Sequence, residues 1–288
     1  MKKDKTHIHW YPGHIAKAER KLKEQLSLVD AVIEVIDARL PISSRYDNIS
    51  GLLNQKPRFL LINKSDLVDK NELEKFIKYL KKETGLTVIP TTSRNSKDLN
   101  IIVKEAIRLS EPRIQAIMAK GLLRRPARIM VVGLPNVGKS SIINKLTHSS
   151  KTKTGAKAGV TRQQQWVRIN PQLELLDTPG IIPMRQEDQE RANKLAFVNS
   201  VGDNAYSNDI VAKELLKNLN ENQLQIFKEY YKIPQDNELT LENIAYTRKW
   251  LKQGVEPDIE RTSGYILKDF RDGKIGKFIL DNLDKSPF

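Results

Sequence analysis

Five short runs of apolar residues mark the first two-thirds of this chain: AVIEVID at 31–37, RFLLIN at 58–63, LTVIPT at 86–91, RIMVVG at 128–133 and LELLDT at 173–178. Runs that are apolar almost throughout, without alternation, suit strands buried on both faces of a sheet. The stretches beside them read as helical, and strands that alternate with helices predict a largely parallel sheet covered on both sides. The expected fold class is α/β. The segment 100–123 reads as a helix leading into the basic connector LLRRPAR. After about residue 205 the pattern holds helices only, in DIVAKELLKNL, ENQLQIFKEYYKI, TLENIAYTRKWLK and GYILKDFRDGKIGKFILDNL. Two domains follow, an α/β domain over 1–204 and a small all-α domain over 205–288.

At 288 residues and 39% apolar content the chain is long enough for substantial cores. It has no cysteine, which removes disulfides and thiolate metal sites and suits a reducing compartment. The four histidines, His7, His9, His14 and His148, lack the spacing and neighbouring carboxylates of a zinc site. No apolar run approaches the ~18 residues of a membrane span, and the opening MKKDK lacks a signal-peptide core. Lys2 stands where myristoylation requires glycine. A soluble, cytoplasmic, monomeric protein without membrane contact is expected.

Charge narrows the partner. The formal net charge is +14; residues 104–168 carry fourteen Lys and Arg against two Asp and Glu, whereas 205–288 carry thirteen against fourteen. Such an excess suits a polyanion, nucleic acid above all, and exceeds what one nucleotide's phosphates need. The expected basic face of the α/β domain uses Arg124, Arg125, Arg128, Lys151, Lys153 and Lys157. In the balanced C-terminal part, Lys268, Arg271, Lys274 and Lys277 would have to segregate to one side. Tyr230, Tyr231 and Trp250 there suit either stacking on bases or a core.

Three motifs carry the chemistry. GLPNVGKS at 133–140 fits a phosphate-binding loop between a predicted strand and helix. Its glycines let backbone amides turn around phosphates, Lys139 reaches the β and γ oxygens, and the Ser140 hydroxyl can ligate Mg²⁺. DTPG at 177–180 ends another apolar run, which puts Asp177 near the magnesium shell and the Gly180 amide at a γ-phosphate. NKSD at 63–66 also ends a strand. The Asp66 carboxylate has only acceptors, matching guanine's ring N–H and exocyclic amine, and adenine offers no such pair. Asn63 is expected to bridge base and phosphate loop, with the Lys64 stem along the purine. NKSD precedes GLPNVGKS, the reverse of the order in ordinary G domains. The same sheet can form because strand neighbours are spatial, so the chain reads as a circularly permuted P-loop GTPase domain followed by the helical one.

Together WYPGH at 10–14, DARLP at 37–41, NKSD, GLPNVGKS, GVTR at 159–162 and DTPGI, with LKDFRDGKIGKFIL near the C-terminal end, resemble the bacterial ribosome biogenesis GTPase A family, of the RbgA or YlqF type. The resemblance covers nearly the whole chain. It implies a GTPase that binds immature large (50S) ribosomal subunits late in assembly, is stimulated by them and uses its C-terminal helices on ribosomal RNA. By position it places GTP binding on Asn63, Lys64, Ser65 and Asp66, and on Thr92 and Ser93. It adds Asn136, Val137, Gly138, Lys139, Ser140 and Ser141, then the switch threonine Thr161 and Gly180. Mg²⁺ would be held by Ser140 and Thr161, with Asp177 acting through water, and Asn136 would hold K⁺. Arg94 follows Ser93 where the family more often has alanine.

Ile181 stands where many GTPases place the glutamine that orients the attacking water, and an isoleucine cannot hydrogen-bond water. The resemblance assigns that role to His14. On the residues alone, Gln163, Gln164, Gln165, Gln186 and Gln189 also remain candidates, and a histidine opening a helix is an ordinary structural residue too. Two other classes stay open: a protein-directed signalling switch, against which the basic excess weighs, and a non-catalytic GTP-binding assembly scaffold.

Overall fold

The apolar runs become the middle of one sheet. A computed structural model describes residues 12–46, 49–92, 98–150, 166–176, 180–181, 189–201 and 206–283, with the side chains of 12–18, 148–150 and 180–181 outside that description. Strand β1 (Ala31–Asp37) is buried at every position. It is flanked in parallel by β2 (Arg58–Asn63) on one side and by β4 (Ala127–Gly133) on the other. Beyond β2 lies β3 (Val88–Pro90), shorter than the run 86–91 predicts. Beyond β4 lie β6 (Leu173–Leu176) and then β5 (Trp166–Asn170), while β7 (Gly180–Ile181) pairs with the last residues of β4.

From β1 the chain steps outward through β2 and β3, and from β4 it steps outward the other way. The reversal lies between β1 and β4, and open α/β sheets bind ligands at such a crevice, beyond the carboxyl ends of the strands. Register brings those ends together: Asp37 is opposite Asn63, and β4 ends at Gly133. The helices of this part are α1 (Pro12–Ser27), α2 (Ile49–Leu52), α3 (Lys70–Thr84), α4 (Leu99–Met118) and α5 (Lys139–Ser150). Helix α1 lies against β7.

Two elements depart from the sequence reading. β5 was not expected; it is an antiparallel edge strand with half-exposed residues and a register irregularity between Arg168 and Asn170. The predicted helix 100–123 ends at Met118, and Gly121 follows in the left-handed region that breaks helices.

Helix α6 (Gln189–Phe197) follows the sheet, and the C-terminal part comprises α7 (Asn208–Lys217), α8 (Glu221–Tyr231), α9 (Leu241–Arg248) and α10 (Ile259–Arg271). Phe227, Tyr231, Ile266 and Phe270 form its core, α10 packs on α7 and α9, and α6 packs on α7. Tyr231 is therefore interior, where it cannot stack on a base. Trp250 stacks on Tyr265 with ring centroids 4.7 Å apart. After α10 the chain returns to the α/β part. The Leu280 N–H donates to the Arg39 carbonyl at 2.9 Å, and the Asp281 carboxylate accepts from the Ile42 and Ser43 N–H groups at 2.7 and 2.9 Å.

The expected basic faces are corrected by their pairings. Arg125 forks onto buried Asp30 with two contacts of 2.8 Å, Arg124 pairs with Glu111 and Arg128 with Glu174. These three charges answer local carboxylates, so they form no open cationic patch. Lys151, Lys153 and Lys157 lie outside the described residues. At the end of α10 Arg271 points inward to backbone carbonyls, and beyond it Lys274 pairs with Asp269 and Asp272; Lys268 and Lys277 are exposed. The four do not make one stripe because Arg271 serves the interior.

Candidate nucleotide-binding site

The loop between β4 and α5 sits at the β1–β4 crevice. Asn136 and Gly138 take left-handed backbone angles, φ 55° and 98°, the kind of turn that lets successive amides gather around an anion. Lys139, buried on the first turn of α5, donates its ammonium to the Leu134 carbonyl at 2.6 Å. Burial lowers its pKa to about 8, so the group is held at a site that favours an added anion. Ser140 and Ser141 are exposed on the same turn, at the positive end of the helix.

The base motif meets this loop directly. The Asn63 side-chain amide donates to the Val137 carbonyl at 2.9 Å, which is the phosphate-loop side of the bridge to the base expected of it. The approach is so close that a Cβ on Gly138 would fall 2.0 Å from the Asn63 amide nitrogen. Asn63 Oδ1 is buried without a hydrogen-bond partner among the described residues. Lys64 adopts a left-handed φ of 63° and donates to the Asn136 carbonyl at 2.9 Å and to Asp37 at 2.7 Å. Ser65 and Asp66 begin a short 3-10 turn (Ser65–Leu67), with the Ser65 N–H on the Thr91 carbonyl. The Thr92 carbonyl accepts from Lys145 of α5 at 2.7 Å, tying the second base segment to the helix behind the phosphate loop.

Asp37 and Arg39, the first and third residues of DARLP, had no assigned role in the sequence, and here they complete the site's rear wall. Burial pushes the Asp37 carboxyl upward, but Arg39 and Lys64 outweigh it and hold the group well below the ordinary carboxylate range. Arg39 forks onto Asp37 through Nε at 2.9 Å and Nη2 at 2.8 Å. Burial also pulls the Lys64 ammonium down, as do the guanidinium groups of Arg39 and Arg271, while Asp37 opposes them. Taking one partner from a buried charge cluster costs about 3–5 kcal/mol, so Asp37 fixes where Lys64 can be. The available signal was positional, since DARLP starts at the carboxyl end of a buried strand.

Ser93, Thr161, Asp177, Gln163, Gln164, Gln165 and Gln186 lie outside the described residues. His14 belongs to the first turn of α1, and its side chain lies outside the description; Gly180 pairs through β7 with Val132. Asn136 donates its side-chain amide to the Asn199 carbonyl at 2.7 Å. For Mg²⁺, the Ser140 hydroxyl stands on the first turn of α5, and no group of three His, Cys, Asp or Glu among the described residues could hold a metal. That donor set fits an ion carried mainly by phosphate oxygens and water.

A phosphate loop behind β4, a base motif behind β2 and the inverted order of the two define a circularly permuted P-loop GTPase, an enzyme that hydrolyses GTP. A model of the 50S ribosome-binding GTPase family matches residues 128–235. Ribosome biogenesis GTPase A of Bacillus cereus is 37% identical over 277 residues, 95% of this chain and 93% of that protein. The mouse mitochondrial ribosome-associated GTPase 1 is 34% identical, over 94% of this chain and 89% of that one. Among solved structures, GDP-bound YlqF aligns with a TM-score of 0.66 at 27% identity, covering 92% of this chain and all of that one. YlqF of Thermotoga maritima with bound GNP aligns at 0.64 and 28%, over 90% of this chain and 95% of that one. The chain belongs to the ribosome biogenesis GTPase A family.

Proposed function

We propose that this chain binds and hydrolyses GTP during late assembly of the large (50S) ribosomal subunit, touching ribosomal RNA and being stimulated by the particle. The observation that carries the nucleotide reading is the Asn63–Val137 hydrogen bond, which joins a guanine-type motif to a phosphate loop across 74 residues of sequence. The names of the relatives carry the ribosomal part. The protein works as a cytoplasmic monomer, divided at 204/205 into a GTPase domain and an RNA-contacting helical domain, without membrane contact; no helix among the described residues is long and apolar enough to cross a membrane.

In this reading Asp66 accepts from the guanine ring N–H and amine while Lys64 lies along the purine. Loop amides and Lys139 take the phosphates. Ser140 and Thr161, with Asp177 through water, would hold Mg²⁺, which would supply positive charge against the phosphates. Asn136 would hold K⁺ once its side chain leaves Asn199. His14 orients the attacking water. Two facts support it: Ile181 in β7 cannot hydrogen-bond water, and α1, which carries His14, lies against β7.

The test is GTP hydrolysis titrated with immature and mature large subunits, for the chain and for His14→Ala. Stimulation by particles and a loss of about a hundredfold or more in stimulated turnover, with GTP affinity kept, is the expected outcome. Turnover unaffected by any particle removes the ribosomal part, and an affinity that falls with turnover makes His14 structural. Equal rates in K⁺ and Na⁺ remove the alkali ion.

A further inference from the structure

We infer that the helical domain controls how firmly the nucleotide site is held, through a closed ring of hydrogen bonds running from the phosphate loop through Arg271 of α10 to the base motif, with Tyr206 and Arg271 as positioning residues. The inference rests on the GTPase reading and adds a regulator to it.

The ring starts at Asn136. Its side-chain amide donates to the Asn199 carbonyl at 2.7 Å, just past the end of α6. Asn199 Oδ1 accepts from the Tyr206 hydroxyl at 2.9 Å, and that hydroxyl accepts from Arg271 Nη2 at 3.0 Å. The Arg271 carbonyl accepts from Arg39 Nη1 at 3.3 Å. Arg39 forks onto Asp37, Asp37 takes Lys64, and Lys64 returns to the Asn136 carbonyl. The path leaves the phosphate loop and re-enters it at the same residue, having crossed into the helical domain and back.

Three observations make this more than adhesive between domains. Both ends close on Asn136 and Lys64, residues that the GTPase reading places at the nucleotide, so a change in α10's seat is delivered there. Asn136 and Asn199 both have left-handed backbone, φ 55° and 61°, a conformation that persists where surroundings over-determine it. Arg271 also donates to the Ala196 and Phe197 carbonyls at 2.8 and 3.0 Å, at the C-terminal end of α6, and the Ala196 carbonyl accepts from the Asn199 N–H at 3.0 Å as well. Arg271 therefore sets where α6 ends and where the Asn199 turn sits. When α10 shifts, that turn releases Asn136, and Arg39 loses its outer anchor. Coupling of this kind is reciprocal: whatever engages the helical domain changes nucleotide retention, and bound nucleotide changes the seat of α10.

The experiment measures release of a fluorescent GDP analogue from the full chain. Tyr206→Phe removes one hydroxyl from the ring while keeping the aromatic packing, and Asn199→Gly keeps the left-handed turn and its carbonyl while removing Oδ1. Each should speed release by about fivefold, the value of one lost hydrogen bond, with thermal stability preserved. Combined with Asn136→Ala, Tyr206→Phe should add little, because both open the same ring. Release rates equal to the parent chain, or effects that add in full, overturn the ring. A parent chain that fails to bind the analogue overturns the GTPase reading itself, and the two failures are thereby distinguished.

Discussion

Lys139 illustrates how one buried cation reports on its ligand. Burial lowers its pKa to about 8. In the unfolded chain the ordinary value is about 10.4, so between these values the unfolded state binds more protons and folding is penalised less as pH rises. For the ligand the sign is opposite. Phosphate oxygens restore the charged form, so GDP binding takes up a proton above pH 8 and affinity falls as pH climbs through that value. Titration calorimetry in two buffers of different ionisation heat measures the uptake directly, and an affinity that stays flat to about pH 9.5 contradicts it. At this scale the sequence exposed some roles and hid others. Asn63 was legible because an amide between a strand end and a glycine loop has few places to go. Arg271 was not, since counting at helical spacing groups it with Lys268 and Lys274, and the acceptors that draw it inward lie 74 and 75 residues away.

The elements that position the site were legible for a physical reason: strands covered on both faces leave unbroken apolar runs, and β1, β2 and β4 do so. β5 left no such mark, because an edge strand with half-exposed residues has no buried pattern to display. The junction between elements carries its own prediction. Gly138 has φ 98° and stands against Asn63 with no room for a side chain. Gly138→Ala must therefore displace the Asn63 side-chain amide from the Val137 carbonyl and strain a left-handed backbone. It should lower stability by about 1–3 kcal/mol and weaken GDP binding by more than about tenfold, read by denaturant unfolding and by fluorescence titration. A variant that binds GDP as the parent does would mean that the two motifs do not need their close approach.

For the whole molecule, net charge overstates what is free to meet RNA. The +14 includes Arg113 and Arg125, both answered by buried Asp30, along with Arg124 and Arg128 on carboxylates of their own. The proposed binding to ribosomal RNA should still weaken linearly in log salt, but with a slope well below the roughly eight (single strands) to eleven (duplex) expected if the twelve-charge excess of residues 104–168 were all on phosphates. A filter-binding series across salt concentrations measures it, and a slope at the full value would mean that the internal pairs open on RNA. The contact of Asp281 with Ile42 and Ser43 spans 239 and 238 positions. A chain emerging from its own synthesis thus forms the turn after β1 without this support until residue 281 has appeared, so the half made first is completed by the half made last.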